Sequence, residues 1–369
     1  MRRLISLLLL LFFLPSLGLA EAPGAEYFEA PKQIVVTFTG DCTLGNTPLQ
    51  REVDQVEGKR CFESYVEEFG LEYPFAMVRD IFLNDDLTII NLESTFYDYE
   101  ANKAQKTYNF RSPTSYADML PMAGIDAVSM GNNHIEDYGA PGFRSTVDAL
   151  ESRNIQWFGS NEYGNKTYIY EKDGVKIGFV AIYISWWWVK GTGELMKQTV
   201  ADLKDQGCSL VVACLHGGVE YDLRHDTNQE RIADAFIRYG ADIVIGHHPH
   251  VLQGIRLQKD TGVTTLWSLG NFCFGGNPKF NRPEARYACI AQFTFSFDED
   301  GTYLGHQINL IPAFTSGSAE YNDYQPHLAE GEDAEKILAA IQLDTPWKML
   351  TLNPYVPGVG ALQDFVPAP

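Results

Sequence analysis

Runs of apolar, β-branched residues recur along this chain, and each breaks off at a short polar loop before a helix-patterned stretch begins. That alternation restricts the chain to layered α/β folds, in which a largely parallel sheet is covered on both faces. The first run is 33–39 (QIVVTFT), ending at Gly40-Asp41; 87–91 (LTIIN), 126–130 (DAVSM), 155–158, 209–215 (SLVVACL) and 242–245 (DIVI) follow. Helical patterning falls at 73–83, 114–122, 142–153, 193–206 and 228–239, the last placing Ile232, Ala235, Phe236 and Tyr239 on one face. Lys172-Asp173-Gly174 reads as a hairpin turn before 175–184. The later runs 251–257, 264–267, 288–297 and 306–311 have no helices between them, which predicts an antiparallel extension.

The length of 369 residues, 45% of them apolar, suffices for one domain of about 250 to 300 residues plus extensions. The expected division is a signal peptide at 1–20, a polar linker at 21–31, the domain at 32–315 and an extension at 316–369 wrapping the domain surface. Residues 1–20 join a basic start, Arg2 and Arg3, to an apolar run and the small residues Gly18 and Ala20, which suits export with cleavage after Ala20. An uncleaved anchor is the alternative, and either form places the protein outside the cell or on its surface. The formal charge of −20 becomes −22 without those residues and excludes nucleic acid as a partner. Six cysteines without C-x-x-C spacing exclude a zinc ribbon and a redox dithiol. Export permits disulfides, and Cys42 with Cys61 and Cys273 with Cys289 are the sequence-local pairs.

Five polar signatures stand where runs end: Gly40-Asp41, Asn91-Leu92-Glu93, Gly131-Asn132-Asn133-His134, His216-Gly217-Gly218 and Gly246-His247-His248-Pro249-His250. Open α/β sheets bind ligands beyond the carboxyl ends of their strands, so these loops are expected to share one crevice. Asp41 and Glu93 supply hard anionic oxygens, while His216, His248 and His250 supply nitrogens. H-x-H in an extended loop would aim both rings the same way. Nitrogen and oxygen donors without thiolate suit manganese, zinc or iron, as one or two divalent ions. The glycines are expected to admit backbone close to the cation or its phosphate. Taken singly, each acid is more often a cap or turn residue; five of eight histidines in these loops favour a joint site.

The ordered set GDCTLG, NLES, GNNH, LHGG, GHHPHV and SLGNF, across 34–274, resembles the bacterial capsule synthesis family CapA or PgsA, associated with poly-γ-glutamate production. That family looks like a branch of the calcineurin-type metallophosphoesterases, which implies a four-layer α/β/β/α sandwich of two mixed sheets. The resemblance makes Asp41 the first metal aspartate, Glu93 the bridging carboxylate, Asn133 the amide ligand, and His216, His248 and His250 the remaining ligands. His134 matches the histidine that assists phosphate chemistry, as general acid or transition-state stabiliser. Asn132, His247 and Asn271 are expected to orient or bind beside them. Thr43 stands where phosphoesterases carry a histidine and Glu93 where they carry an aspartate, which weakens one of two metal positions.

The resemblance implies a metal-dependent exported protein acting in synthesis, transfer or release of an anionic polymer such as poly-γ-glutamate, with membrane-bound synthesis partners. A secreted phosphoesterase acting on phosphate esters and a non-catalytic protein that binds polymer or partners are the alternatives. Trp186-Trp187-Trp188 reads either as buried packing or as a lip that stacks substrate or touches a membrane. Arg111, Arg224 and His225 are candidate anion-binding groups, with surface salt bridging as the plainer role.

Overall fold

The computed structural model describes residues 30–159, 166–276, 279–346 and 350–368. The expected signal peptide and nearly all of the linker lie outside them. Among the described residues no helix is long and apolar enough to cross a membrane.

In chain order the strands are β1 Lys32–Cys42, β2 Leu87–Leu92, β3 Thr95–Phe96, β4 Arg111–Ser112, β5 Ala127–Ser129, β6 Gln156–Phe158, β7 Tyr168–Lys172 and β8 Val175–Tyr183. They continue with β9 Leu210–His216, β10 Ile243–His247, β11 Ile255–Gln258, β12 Val263–Leu266, β13 Tyr287–Phe297, β14 Tyr303–Phe314, β15 His327–Leu328, β16 Ala361–Leu362 and β17 Val366–Pro367. One sheet runs β15-β14-β13-β1-β2-β5-β6, with β16 and β17 also on β14; the other runs β11-β12-β10-β9-β8-β7. Each has a parallel centre, β1-β2-β5-β6 and β8-β9-β10-β12, and antiparallel strands at its margins.

Alternation along the central strands builds the layers. Ile34, Val36 and Phe38 of β1 face Ile177, Phe179 and Ala181 of β8, Leu210 and Val212 of β9, and Ile243 and Ile245 of β10 across an inter-sheet core. The residues between them turn outward. Val180, Ile182, Val211, Ala213 and Val244 pack under the helices Thr192–Asp205 and Thr227–Tyr239. Ile90, Leu92, Val128 and Met130 pack under the helices Phe62–Phe69 and Gly139–Glu151 with Phe75, Phe82 and Leu120. Three apolar interfaces therefore separate four layers, helix, sheet, sheet and helix, in the order the resemblance implies.

Several local expectations are corrected. The stretch 73–83 is not one helix but a 3₁₀ turn, Tyr73–Phe75, and a short helix, Arg79–Phe82; 114–122 divides likewise into Thr114–Asp118 and Met119–Ala123. Phe75, Val78 and Phe82 stay buried at helical spacing in the broken form, so apolar period does not distinguish the two. The late strands do pair antiparallel, but β11 and β12 join one sheet and β13 and β14 the other. All six cysteines are buried and free, which overturns the pairings Cys42 with Cys61 and Cys273 with Cys289. Cys61 Sγ instead meets Ser64 Oγ at 3.2 Å, and Cys273 Sγ donates to the Tyr324 carbonyl at 3.5 Å.

The glycines beside the motifs serve the sheets. A Cβ on Gly40 would lie 2.0 Å from the Gly270 carbonyl oxygen, and one on Gly246 would lie 2.0 Å from that of Trp267. Both let backbone approach backbone, not the cation approach expected from sequence. The Asp41 amide then donates to the Gly270 carbonyl at 2.9 Å, tying the end of β1 to the loop after β12.

Candidate metal centre

The parallel centres of both sheets end on one side of the molecule, which brings the five polar loops together. Asp41 ends β1, Asn91 and Glu93 end β2, Asn132, Asn133 and His134 follow β5, His216 closes β9, and His247, His248 and His250 leave β10. Of these, Asp41, Asn91, Glu93, Asn132, His134, His216, His247 and His250 are all buried.

Amides knit the carboxylate side. Asn91 Nδ2 donates to Asp41 Oδ1 at 2.8 Å and reaches His216 Nδ1 at 3.2 Å. Asn132 Nδ2 donates to the Leu92 carbonyl at 2.8 Å and to Asn91 Oδ1 at 3.2 Å, while Asn132 Oδ1 accepts from the His134 amide at 3.0 Å. Asn132 thus fixes the loop that carries Asn133 and His134. His216 Nε2 lies 2.7 Å from Asn133 Oδ1 and 3.1 Å from His248 Nδ1. His250 Nδ1 is shared between Asn271 Oδ1 at 2.9 Å and Asp41 Oδ2 at 3.2 Å, and the His248 amide donates to the same Asp41 oxygen at 3.2 Å.

Glu93 differs from its neighbours. It is fully buried, and neither carboxylate oxygen receives a hydrogen bond. His216 Nε2 and His134 Nε2 stand 3.3 and 3.8 Å from Oε1. Burial, then the charges of Asp41 and Asp137, push its carboxyl well above the ordinary 4.5. Burial would raise Asp41 too, but His250, His247 and Asn91 outweigh it and hold that carboxyl below 3.8. Burial, reinforced by neighbouring histidines, drives His216 well below 6.5 and His248 down to about 3. Imidazole nitrogens around a buried carboxyl that receives no hydrogen bond offer a donor set that a divalent cation fits. Donor atoms of Glu93, His248 and His250 lie within 4.8 Å of one another, a spacing one ion could bridge. Of the other predicted ligands, Asp41 and His216 are hydrogen-bonded to that triad and Asn133 to His216.

The histidine loop is not extended. His248 and His250 have φ of 99° and 59°, a left-handed conformation that L-residues avoid and that clusters at functional sites. Tight turning, and not strand alternation, sets their rings 5.7 Å apart. Contacts with the loop after β9 hold the turn: the Tyr221 amide donates to the Pro249 carbonyl at 2.7 Å, and Gln253 Nε2 donates to the Asp222 carbonyl at 2.9 Å. His247 faces away from the triad, its Nε2 3.0 Å from the Thr39 carbonyl across the sheets. Thr43, where a further histidine would complete a second metal position, is occupied structurally: its hydroxyl donates to the Gly45 carbonyl at 2.9 Å and accepts from the Gly275 amide at 2.8 Å.

His134 is positioned by a group that sequence reading missed. Asp137, fully buried, lies 2.8 Å from His134 Nδ1, accepts from the Phe110 amide at 2.5 Å and pairs with Lys106. Lys106 Nζ also donates to the Asn133 carbonyl at 2.7 Å. With Nδ1 held by Asp137, Nε2 is left for the crevice. Burial lowers the His134 value below 6.5, Asp137 opposing it in part. Nothing in the NLES motif signals the place of the Asn91 amide between Asp41 and His216. Tyr183, whose ring lies 5.9 Å from that of His216 and 6.2 Å from that of His248, carried no signal beyond its place at the end of β8.

The remaining candidates resolve plainly. Arg111 pairs with Glu100 and donates to the Tyr97 carbonyl at 3.0 Å. His225 stacks on Trp267 with ring centroids 4.2 Å apart and meets Asp344 and Glu230, which places it among carboxylates. The Arg224 amide donates to Asp222 Oδ1 at 3.0 Å. The tryptophans divide: Trp186 packs edge-on to Tyr183, Trp187 packs on Phe236 and Tyr239, and Trp188 is 54% exposed beneath the Arg231 guanidinium.

Two mixed sheets between helices, with carboxylates, amides and imidazoles gathered where both sheets end, define an α/β/β/α protein with a site of metal-binding composition. The chain belongs to the bacterial capsule synthesis protein PGA_cap family, whose profile matches residues 35–276. It is 30% identical over 276 residues to the capsule biosynthesis protein CapA of Bacillus anthracis, a match covering 69% of this chain and 63% of that protein. It is 27% identical over 273 residues to the PGA biosynthesis protein CapA of Bacillus subtilis (strain 168), covering 70% and 67%. Among solved structures, a putative 5'-nucleotidase from Staphylococcus aureus aligns with a TM-score of 0.44 and 15% identity over 88% of this chain and 61% of that one. A purple acid phosphatase from yellow lupin seeds aligns with a TM-score of 0.41 and 10% identity over 88% and 58%.

Proposed function

We propose that this chain is an exported, metal-dependent protein that acts on an anionic capsule polymer such as poly-γ-glutamate during its synthesis, transfer or release. The family supports the polymer, and the N-terminal pattern supports export. The carrying observation is Glu93, fully buried with neither oxygen hydrogen-bonded and with its donor atom within 4.8 Å of those of His248 and His250.

Glu93, His248 and His250 would hold the cation, with Asp41, Asn133 and His216 beside them. Bound there, a divalent ion supplies Lewis acidity toward a phosphoryl or acyl oxygen. His134 does the protonic work: Asp137 fixes its orientation and Nε2 delivers or accepts a proton at the departing atom. Phe110, with its ring centroid 4.7 Å from that of His134, shields this pair from water. The test combines metal analysis of the purified chain after exposure to manganese, zinc or iron with the length distribution of poly-γ-glutamate incubated with it. Stoichiometric metal lost in Glu93→Gln, and a chain-length change lost in His134→Asn with metal retained, are expected. Bound metal with polymer affinity but no chain-length change in any condition supports the non-catalytic reading instead.

The second reading, hydrolysis of phosphate esters, is favoured by the Asp137-oriented His134, which suits protonation of a leaving oxygen. It predicts manganese-stimulated turnover of a chromogenic phosphodiester, and inactivity across metals and esters removes it.

A further inference from the structure

The crevice over the candidate metal centre is lined by Tyr108, Phe110, His134, Glu220, Tyr221 and His250 and has a volume of about 30 Å³, room for only a few water molecules. A chain-like substrate reacting there must place its remaining residues elsewhere. A cavity of about 570 Å³ opens on the other side of one short segment. Phe274 and Gly276 line the crevice, and Gly275 between them lines the cavity. No side chain thickens that wall at its two glycines: a Cβ on Gly275 would lie 2.0 Å from the Gly45 carbonyl, and one on Gly276 would lie 2.6 Å from the Phe110 ring. Asn322 Nδ2 holds the segment through the Phe274 carbonyl at 2.8 Å.

The cavity has the groups a carboxylate-bearing amide chain requires. Lys59 and Arg60 stand at its margin, their side chains 58% and 42% exposed. Their own partners, Glu57 and Glu68, do not line it. Of the two acids that do, Asp54 is buried and engaged by Gln50 Nε2 at 2.7 Å and Asn46 Nδ2 at 3.3 Å, and Glu320 is the other, so an anionic chain reaches the two cations by exchanging with Glu57 and Glu68. Tyr321, 51% exposed, gives a flat surface on which an amide plane can lie, while the buried Tyr65 carries the Arg60 guanidinium 4.6 Å from its ring centroid. Gln50 adds a polar amide to the lining.

We infer that this cavity is a second subsite that holds a stretch of an amide-linked polycarboxylate chain while the reacting unit lies at Glu93, His248 and His250. The inference rests on the polymer reading above, but its residues are separate from the metal donors. Binding in the cavity therefore does not require the ion.

Calorimetric titration of the full purified chain, stripped of metal and metal-loaded, with a γ-linked glutamate tetramer tests this, with glutamate monomer and inorganic phosphate as comparisons. The tetramer is expected to bind the stripped protein, and Arg60→Ala or Tyr321→Ala to weaken it about tenfold each, as loss of one anchoring contact does. Both side chains are on the surface, and unchanged melting midpoints confirm that the variants fold. Monomer and phosphate are expected to bind the stripped protein far more weakly. Tetramer affinity unchanged in both variants, or present only in the metal-loaded form, overturns the subsite. Metal content of the same samples reports separately on the Glu93 site, so either reading can fail alone.

Discussion

Glu93 Oε1 lies 3.3 Å from His216 Nε2, yet neither Glu93 oxygen receives a hydrogen bond, although the residue is fully buried. A buried carboxylate in that state destabilises the metal-free protein, through its own desolvation and the charges of Asp41 and Asp137. Glu93→Gln should therefore raise the metal-free melting midpoint, by about 1 to 3 kcal/mol of stability, while abolishing tight metal binding. Opposite signs in one variant separate a metal ligand from an ordinary buried polar residue, for which both quantities would fall.

Asp344 ties the C-terminal helix Gly331–Leu343 to the loop behind the histidine turn. Its Oδ2 accepts from the His225 amide at 3.0 Å and the Gly254 amide at 3.1 Å, and meets His225 Nδ1 at 2.7 Å. Asp344→Ala leaves buried donors unpaired and should cost about 3 kcal/mol in urea denaturation. A loss within experimental error would show that the loop is held by other contacts.

His225 makes that tie pH-dependent. Burial alone would lower its value, but Asp344 and then Glu230 outweigh burial and hold it above 6.5. With the folded value above the unfolded one, the stabilisation is complete below about pH 6.5 and disappears as pH rises through the folded value. The urea midpoint difference between wild type and His225→Gln should accordingly shrink from about pH 5.5 to 8.5. A difference that grows with pH contradicts the assignment.

All six thiols are buried and unpaired. A thiol reagent should titrate six groups per chain in denaturant without reductant, and almost none in the native state. Burial also pushes Cys42, Cys214 and Cys289 up to about 12, so little thiolate is present to react. Fewer than six groups in denaturant would reveal a disulfide.

Gly40→Ala should cost about 3 kcal/mol or prevent folding, because its Cβ would meet the Gly270 carbonyl at 2.0 Å. Gly193→Ala, whose Cβ would meet nothing closer than 3.8 Å within the helix Thr192–Asp205, should be neutral or stabilising by about 0.5 kcal/mol. Equal melting curves for the two variants would remove the close-approach argument.

The layered fold was legible because β1, β8, β9 and β10 are apolar on both faces, and only strands covered twice read that way. Convergence of the polar loops was legible too, since parallel strands end on one side and Asp41, Glu93, His216 and His248 each stand at or just past such an end. Side-chain direction was not legible. His248 and His250 converge through positive φ, a property set by contacts with Tyr221 and Asp222 that no H-x-H spacing encodes. Asp137 and Lys106 were missed for a related reason: Asp137 reads as an ordinary acid three residues beyond His134, and Lys106 reaches it from a separate loop. The cysteine pairs do not form because nearness in sequence does not bring side chains together: Cys42 lies in β1 and Cys61 precedes the helix Phe62–Phe69.

Anomalous scattering from crystals of the full chain grown with manganese or zinc tests the central claim most directly. A peak within bonding distance of Glu93, His248 and His250, lost in Glu93→Gln crystals, is the predicted result. Ordered loops at full metal exposure with no peak among those three side chains would contradict it.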